Sequence, residues 1–451
     1  MNSFYILLIA YIIAGTALAI YSRKYGFRTH EEYFIAGRNV SGVVSALTYA
    51  ATTYSAFMMV GLVGLSYATG VGAAAFELFY LVGTLFLLSY FAPKMWRFAK
   101  ENGVVTPAEM LSKKYGKAEG ILASLIPVVA LIPYTSAQII GVSLILEKTV
   151  GLTFQNALVI SVFLIAFWAL IGGLRGVAWT DAVQGVIMLL AGFLALALAL
   201  NFVEGNVLEE SSSLGSLLQV PNKIWTVERF IALTVPWFFF ALTNPQVVQR
   251  VFIPKSEKDL KRMVVLFGLF GLIYTFIVTF MGITLKIATV QGNFPEISYR
   301  DDVTPVFITK IPEYAGLIIA LSILAAAITT ANSIILSLAS MISRDILREE
   351  GVFYGKIFVV ILSVIVGIFA YFRLSYIVEL SVMSSAILLC LLPATLGVFS
   401  ERIKRARASI AAGFVAAIVF KLAGVMLYGV YALIVSSLVL AAENIKNREV
   451  R

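Results

Sequence analysis

Residues 323–337 read ILAAAITTANSIILS, an apolar stretch that carries two adjacent hydroxyls, Thr329 and Thr330. Ala326 lies three residues before the first and four before the second, so on a helix all three share one strip. A lipid-facing strip has no use for paired hydroxyls. A buried strip facing a small hard cation has, because hard cations take oxygen ligands. The plainer alternative is that each threonine bonds back to a carbonyl of its own helix. The segment points toward ion-coupled transport, and the rest of the chain can be read against that.

The 451 residues are 60% hydrophobic and 13% charged. A soluble globular protein carries about 25% charged and about 45–50% apolar residues. This composition implies a multi-pass membrane protein with little soluble mass; the plasma membrane is the expected location. Cys390 is the one cysteine, which excludes an intrachain disulfide and a cysteine metal cluster. His30 is the one histidine and falls in a basic loop, which argues against haem ligation or a histidine proton relay in the membrane. The net charge of +9 does not imply nucleic acid, since the lysines and arginines sit between apolar spans, where membrane lipid and topology account for them. The first apolar run has no basic residue before it and has Arg23 and Lys24 after it. That reads as a retained first span starting outside, not as a cleavable signal.

A bilayer core needs about 20 apolar residues per helix. Roughly thirteen spans are expected on that measure, near 3–22, 42–69, 74–94, 119–147, 153–173, 178–203, 228–249, 263–290, 312–343, 355–372, 375–399, 406–420 and 424–442. Placing alternate loops in the cytoplasm puts roughly 26 of the 34 Lys+Arg there, with the N-terminus outside and the C-terminus inside. There is no linker or second domain, so residues 1–451 read as one transmembrane unit. Within it, 1–41 is an extra N-terminal helix and loop, 42–203 a first repeat, 228–399 a second, and 400–451 two C-terminal helices. Five spans per repeat is an odd number, so the second repeat enters the membrane from the opposite side. Such inverted repeats form substrate sites between broken helices. The broken ones lead each repeat: span 7 carries Pro236 and Pro245, and span 2 has the soft centre AATTYSA at 50–56.

A carbonyl becomes a free ligand only where a helix unwinds. Ala51 and Tyr54, mid-span 2, are placed to offer two, Ala326 a third, and Thr329 and Thr330 two hydroxyls. Five neutral oxygens suit a monovalent ion.

Four stretches then acquire a common meaning: EEYFIAGRNVSGVVSALTYAATTYSAFMMVGLVGLSYATG (31–70), GLRGVAWTDAVQGVIML (173–189), NPQVVQRVFIPKSEKDLKR (244–262) and LAAAITTANSIILSLASMISRD (324–345). In this order they resemble the sodium:solute symporter family, most of all its sodium/proline branch. The resemblance implies an all-α fold of the leucine-transporter-like five-plus-five inverted repeat. It implies Na⁺ as coupling ion with no other cofactor, a sodium site at Ala51, Tyr54, Ala326, Thr329 and Thr330, and Asp181 on the sodium release path. The plainer account of Asp181 is an acid near a helix N-terminus, favoured by the dipole. Phe57, Tyr134 and Trp237 match substrate-side aromatics of the proline branch, with Gln138, Asn244 and Ser333 as further candidates. Any one of these aromatics taken alone reads more readily as packing. Met58 where the sugar branch has Gln speaks against sugar, Glu77 slightly for it, and Thr53 where the proline branch has Asp weakens proline. Arg38 and Arg250 read as topology anchors that in this fold could pair and gate the inner mouth. Glu379 has no assigned role.

The function expected is sodium-coupled symport of a small organic solute, led by proline or a similar amino acid, with pantothenate, monocarboxylate or sugar as alternatives. A proton-translocating respiratory subunit would need mid-membrane lysine, glutamate or histidine relays, a channel a pore loop or charged ring, and an enzyme a His/Asp/Cys constellation. None of these patterns is visible. The expected partners are sodium, the solute and membrane lipid, with no nucleic acid and no obligate protein partner.

Overall fold

The structure is a computed structural model that describes residues 2–22, 29–349 and 351–445. Arg23 and Lys24 lie outside the described residues. Among those described, the regular elements are helical, joined by one isolated bridge between Val40 and Pro254. We number the main helices α1 Asn2–Ser22, α2 Gly42–Thr53, α3 Phe57–Thr69, α4 Val71–Glu101, α5 Lys117–Val150, α6 Phe154–Ile171, α7 Gly176–Leu200, α8 Val227–Phe238, α9 Phe240–Thr243 and α10 Pro245–Phe252. They continue as α11 Glu257–Val290, α12 Val303–Lys310, α13 Glu313–Ile346, α14 Val352–Tyr371, α15 Ile377–Gly397, α16 Arg407–Leu422 and α17 Tyr428–Ile445.

Nine of the described helices are long and apolar enough to cross a bilayer, or ten if the bent pair α2–α3 is one span. The other regions expected to cross are helical but short or interrupted. The apolar part of α1 is Leu8–Ala17, the segment 227–252 is cut into α8, α9 and α10, and α16 has 16 residues. Several helices overrun their apolar stretch. Helix α11 starts at Glu257, not near 263, because Ser256 caps it by accepting from the Asp259 amide and acids suit a first turn.

Both expected breaks are present, for different local reasons. Helices α2 and α3 meet at 49°. Thr52, Thr53 and Ser55 crowd this point, and Ser and Thr compete for backbone groups and disfavour helix interiors. Tyr54 is extended there (φ −93°, ψ 92°), and α3 begins with a π turn over Phe57–Leu62. In the second break Asn244 is extended (φ −93°, ψ 113°), the conformation forced on a residue before proline. Pro245 then opens α10 at a position where its missing N–H costs nothing. Gly173 (φ 52°) makes the hinge between α6 and α7.

Burial separates core helices from the rim. In α13 and α15, 89% of the central apolar window is buried, and in α5 83%, against 33% in α14 and α17. The most enclosed helices are therefore those that pack onto the two breaks: α13 against α5, α6–α7 and α2, and α15 against α5 and α3.

His30 lies in no open loop. It begins the short helix His30–Ile35, is buried, and its Nε2 donates to the Gly351 carbonyl at 2.8 Å.

The turn Arg300–Asp302 and helix α12 pack against α3. The Arg300 carbonyl approaches Gly64 so closely that a Cβ there would clash with it. Thr304 donates to the Met59 carbonyl, and Arg300 pairs with Glu379 under the Tyr376 ring, its guanidinium 4.2 Å from the ring centre. Glu379 thus has a role: it holds this turn, with Arg229 at 3.9 Å.

The buried carboxyl of Asp301 accepts the Ile377 amide at 2.8 Å, and burial pushes its pKa up to about 7. Its proton is held more tightly in the folded chain than in the unfolded one. Its contribution to stability is therefore full below about pH 4 and is lost as pH rises through 7. The melting temperature of the wild type should fall relative to that of Asp301→Asn as pH is raised across this window. A difference that stays flat with pH contradicts the assignment.

Candidate functional site

At the α2–α3 break the helical bonding of α2 ends with the Tyr54 amide on the Ala50 carbonyl at 2.7 Å. The next two carbonyls face α13. Ala51 accepts from the Thr330 hydroxyl at 3.0 Å and from Thr329 at 3.3 Å, and Thr52 accepts from Thr330 at 3.2 Å. Thr329 also bonds its own helix at the Ala326 carbonyl, at 2.9 Å. The self-bonding alternative thus describes half of Thr329's contacts and none given for Thr330. Ala51, Ala326, Thr329 and Thr330, all buried, form one oxygen cluster between two helices. Tyr54 marks the break itself, with its ring stacked on Phe267 and Phe270 at 5.6 and 5.8 Å. The Thr52 carbonyl belongs to the cluster and was missed. The signal was its position beside Ala51 in the same unwound turn.

Beside the cluster runs a buried charged network. The Thr52 hydroxyl meets Ser333 at 3.2 Å, Ser333 accepts from Arg250 Nη2 at 2.5 Å, and Arg250 Nη2 lies 3.7 Å from Asp181 Oδ2. Thr48 donates to the same Asp181 oxygen at 2.5 Å. Arg250 and Asp181 are both fully buried. Asp181 is no acid at a helix start capped by solvent; it faces α10 from inside α7. Ser333 joins this polar network and not the aromatic group. Arg250 and Arg38 do not pair with each other: Arg38 donates to Glu31 at 2.8 Å and to the Val104 carbonyl. Arg250 is the residue whose weight sequence reasoning understated. It follows the Asn244-Pro245 break by one and a half turns of α10, which is what turns it inward.

The aromatic candidates do converge. Trp237 of α8 is ringed by Phe57 of α3 at 5.0 Å, Tyr80 of α4 at 5.8 Å, Tyr134 of α5 at 6.1 Å and Phe240 of α9 at 4.9 Å. Phe76 of α4 completes the box, 6.4 Å from the indole. Tyr134 is pinned by its amide, which donates to Ser384 of α15 at 3.1 Å. Gln138 stands one turn on, its amide 3.4 Å from the Tyr134 carbonyl. Asn244 sits at the second break and donates to Ser385 at 3.3 Å. The box therefore lies where both broken segments meet α4, α5 and α15, next to the oxygen cluster.

A helical bundle with two mid-chain breaks, an oxygen cluster at one and an aromatic box between them defines the class of membrane carriers with broken helices. The sodium:solute symporter family matches residues 33–427, and the chain belongs to that family. It is 27% identical over 360 residues to the human sodium-coupled monocarboxylate transporter 2, covering 74% of this chain and 56% of that protein. The chain thus spans little more than half the length of that relative. It is 26% identical over 348 residues to the sodium/pantothenate symporter of Escherichia coli, covering 75% of this chain and 71% of that one. Its fold is shared with a substrate-bound, outward-open Na⁺-coupled sialic acid symporter (TM-score 0.81, 20% identity, 96% of both chains). A weaker likeness links it to Mhp1, a nucleobase-cation-symport-1 family transporter (TM-score 0.56, 15% identity, 90% of this chain and 92% of that one).

Removing one partner of a buried ion pair leaves an uncompensated charge and costs roughly 3–5 kcal/mol. Arg250→Met and Asp181→Asn should each destabilise the purified protein on that scale. The double variant should recover much of the loss. Additive losses in a double-mutant cycle would mean that the two side chains do not act as a pair.

Proposed function

We propose that this protein is a plasma-membrane symporter in which sodium moving down its gradient carries a small organic solute by alternating access. The observation that carries the reading is the Thr330 hydroxyl on the Ala51 carbonyl, a cross-helix contact at 3.0 Å between two oxygens suited to a monovalent ion. Sodium is ligated by Ala51, Tyr54, Ala326, Thr329 and Thr330, and the ion supplies the charge that draws α2 and α13 together. The solute occupies the aromatic box, with Phe57, Tyr134 and Trp237 as its walls and Gln138 and Asn244 as polar contacts. Ser333 acts at the border between solute and ion through Thr52 and Arg250.

Coupling follows from the shared helices. An ion that stabilises the join of α2 and α13 also orders the start of α3, which carries Phe57, so each ligand strengthens binding of the other. Asp181 receives the ion as it leaves. Its Oδ2 accepts from Thr48 and lies beside Arg250, so moving Arg250 aside exposes a carboxylate on the sodium route. In this reading the chain crosses the membrane thirteen times with the N-terminus outside. Residues 42–203 and 228–399 are the two inverted repeats, and the Arg300–Glu379 lid closes the outer side. A proline-like amino acid leads among solutes on the strength of the aromatic box. Pantothenate, monocarboxylates and sugars are the other classes.

The test is solute uptake in proteoliposomes with and without an inward sodium gradient. Accumulation that ignores the gradient rejects symport. Thr330→Ala should raise the sodium concentration for half-maximal uptake by about tenfold or more, the effect of losing roughly 1.4 kcal/mol of ligation. Thr330→Ser, which keeps the oxygen, should stay close to wild type.

A further inference from the structure

An apolar groove between α15 and α17 ends in a cluster of cations. It has a volume of about 370 Å³ and is lined by Pro393 and Leu396 of α15, by Leu433, Ser437 and Leu440 of α17, and by Ile403 of the connection from α15 to α16. Leu433, Ser437 and Leu440 recur at helical spacing, so they form one strip about 10 Å long. The Ser437 hydroxyl donates to the Leu433 carbonyl of its own helix at 2.7 Å. It therefore offers the groove no free donor and, being small, leaves the hollow open.

The connection at the end of the groove is held by its main chain. Asn444 of α17 accepts the Lys404 and Arg405 amides at 2.8 and 3.2 Å and donates to the Arg405 carbonyl at 2.8 Å. Lys114 Nζ donates to the Ser400 carbonyl at 2.9 Å. These bonds leave the side chains of Arg402, Lys404 and Arg405 exposed on either side of Ile403. Among the described residues none of the three is paired with a carboxylate. The acids at hand are engaged elsewhere: Glu443 accepts the Ala408 and Ser409 amides at 3.1 and 3.3 Å, and Glu119 lies 3.4 Å from Arg407. Glu401 is the one acid within the connection. Basic pockets between membrane helices take anionic headgroups. A free phosphate would meet these charges and leave the groove empty. A neutral lipid would fill the groove and leave the charges without a partner.

We infer that the groove seats one phospholipid with an anionic headgroup, its acyl chain along α15 and α17 and its phosphate at Arg402, Lys404 and Arg405. The inference goes beyond sodium-coupled symport and does not depend on it. It requires that α15 and α17 cross the bilayer, and both are long and apolar enough to do so. The first part of α15 packs on α3 beside the break, so the lipid braces the other end of a helix that meets the break.

The experiment titrates the purified full chain, in a neutral detergent, with dioleoyl phosphatidylglycerol, dioleoyl phosphatidylcholine or glycerol 3-phosphate, and counts bound molecules by native mass spectrometry. Phosphatidylglycerol should bind first and singly, ahead of phosphatidylcholine, and glycerol 3-phosphate should not displace it. Arg402→Gln, Lys404→Gln and Arg405→Gln together should weaken phosphatidylglycerol about tenfold or more. The same change at Lys255, Lys258 and Lys261, which are also exposed, should leave it unaffected. Ser437→Phe fills the groove and keeps every charge, and it should weaken binding to a like extent, which a general attraction to basic surface would not do. Equal binding of phosphatidylcholine, displacement by glycerol 3-phosphate or full affinity in Ser437→Phe overturns the inference, as does an equal loss from the Lys255, Lys258 and Lys261 changes. The comparison of lipids on the wild type stands whether or not a variant folds. None of these measurements involves sodium or uptake, so the symport reading fails or stands separately.

Discussion

A main-chain carbonyl inside a bilayer has to be satisfied by protein or by ligand, since no water reaches it. At Ala51 and Thr52 that demand is met from another helix, by the hydroxyls of Thr329 and Thr330. The contact ties the most buried helix, α13, to the point where α2 and α3 part. Everything functional is arranged around this join. Phe57 of the aromatic box follows it on α3, and Ser333 of α13 links it to the Asp181–Arg250 pair.

In the proposed function this join is where linkage arises, because a threonine hydroxyl that donates to a carbonyl occupies the oxygen pair that the proposed sodium would bridge. The neighbouring Ser333–Arg250–Asp181 chain connects this join to the first turns of α7. The Arg300–Glu379 pair and the Asp301 bond to Ile377 tie the start of α15 to the turn packed on α3.

Similarity to carriers of monocarboxylate and pantothenate fixes the family and not the cargo. In the proposed reading, cargo is set by a handful of side chains in the aromatic box, which overall similarity does not fix.

Much of this was legible in the chain. Apolar runs between basic loops specify a polytopic helical protein, because the bilayer allows few other solutions. The soft AATTYSA centre and the Asn244-Pro245 pair specify breaks, since Thr, Ser and Pro act on the backbone locally. Thr329, Thr330 and Ala326 on one helical strip announce an oxygen-lined face. What only the tertiary structure decided is which groups meet across helices. That Arg250 answers Asp181, that Ser333 meets Thr52 and Arg250 and not the aromatics, and that Glu379 holds Arg300 are all long-range pairings. Local propensity carries no information about such partners. They are set by how tilted and broken helices pack, and that packing is determined jointly by the whole set of buried faces.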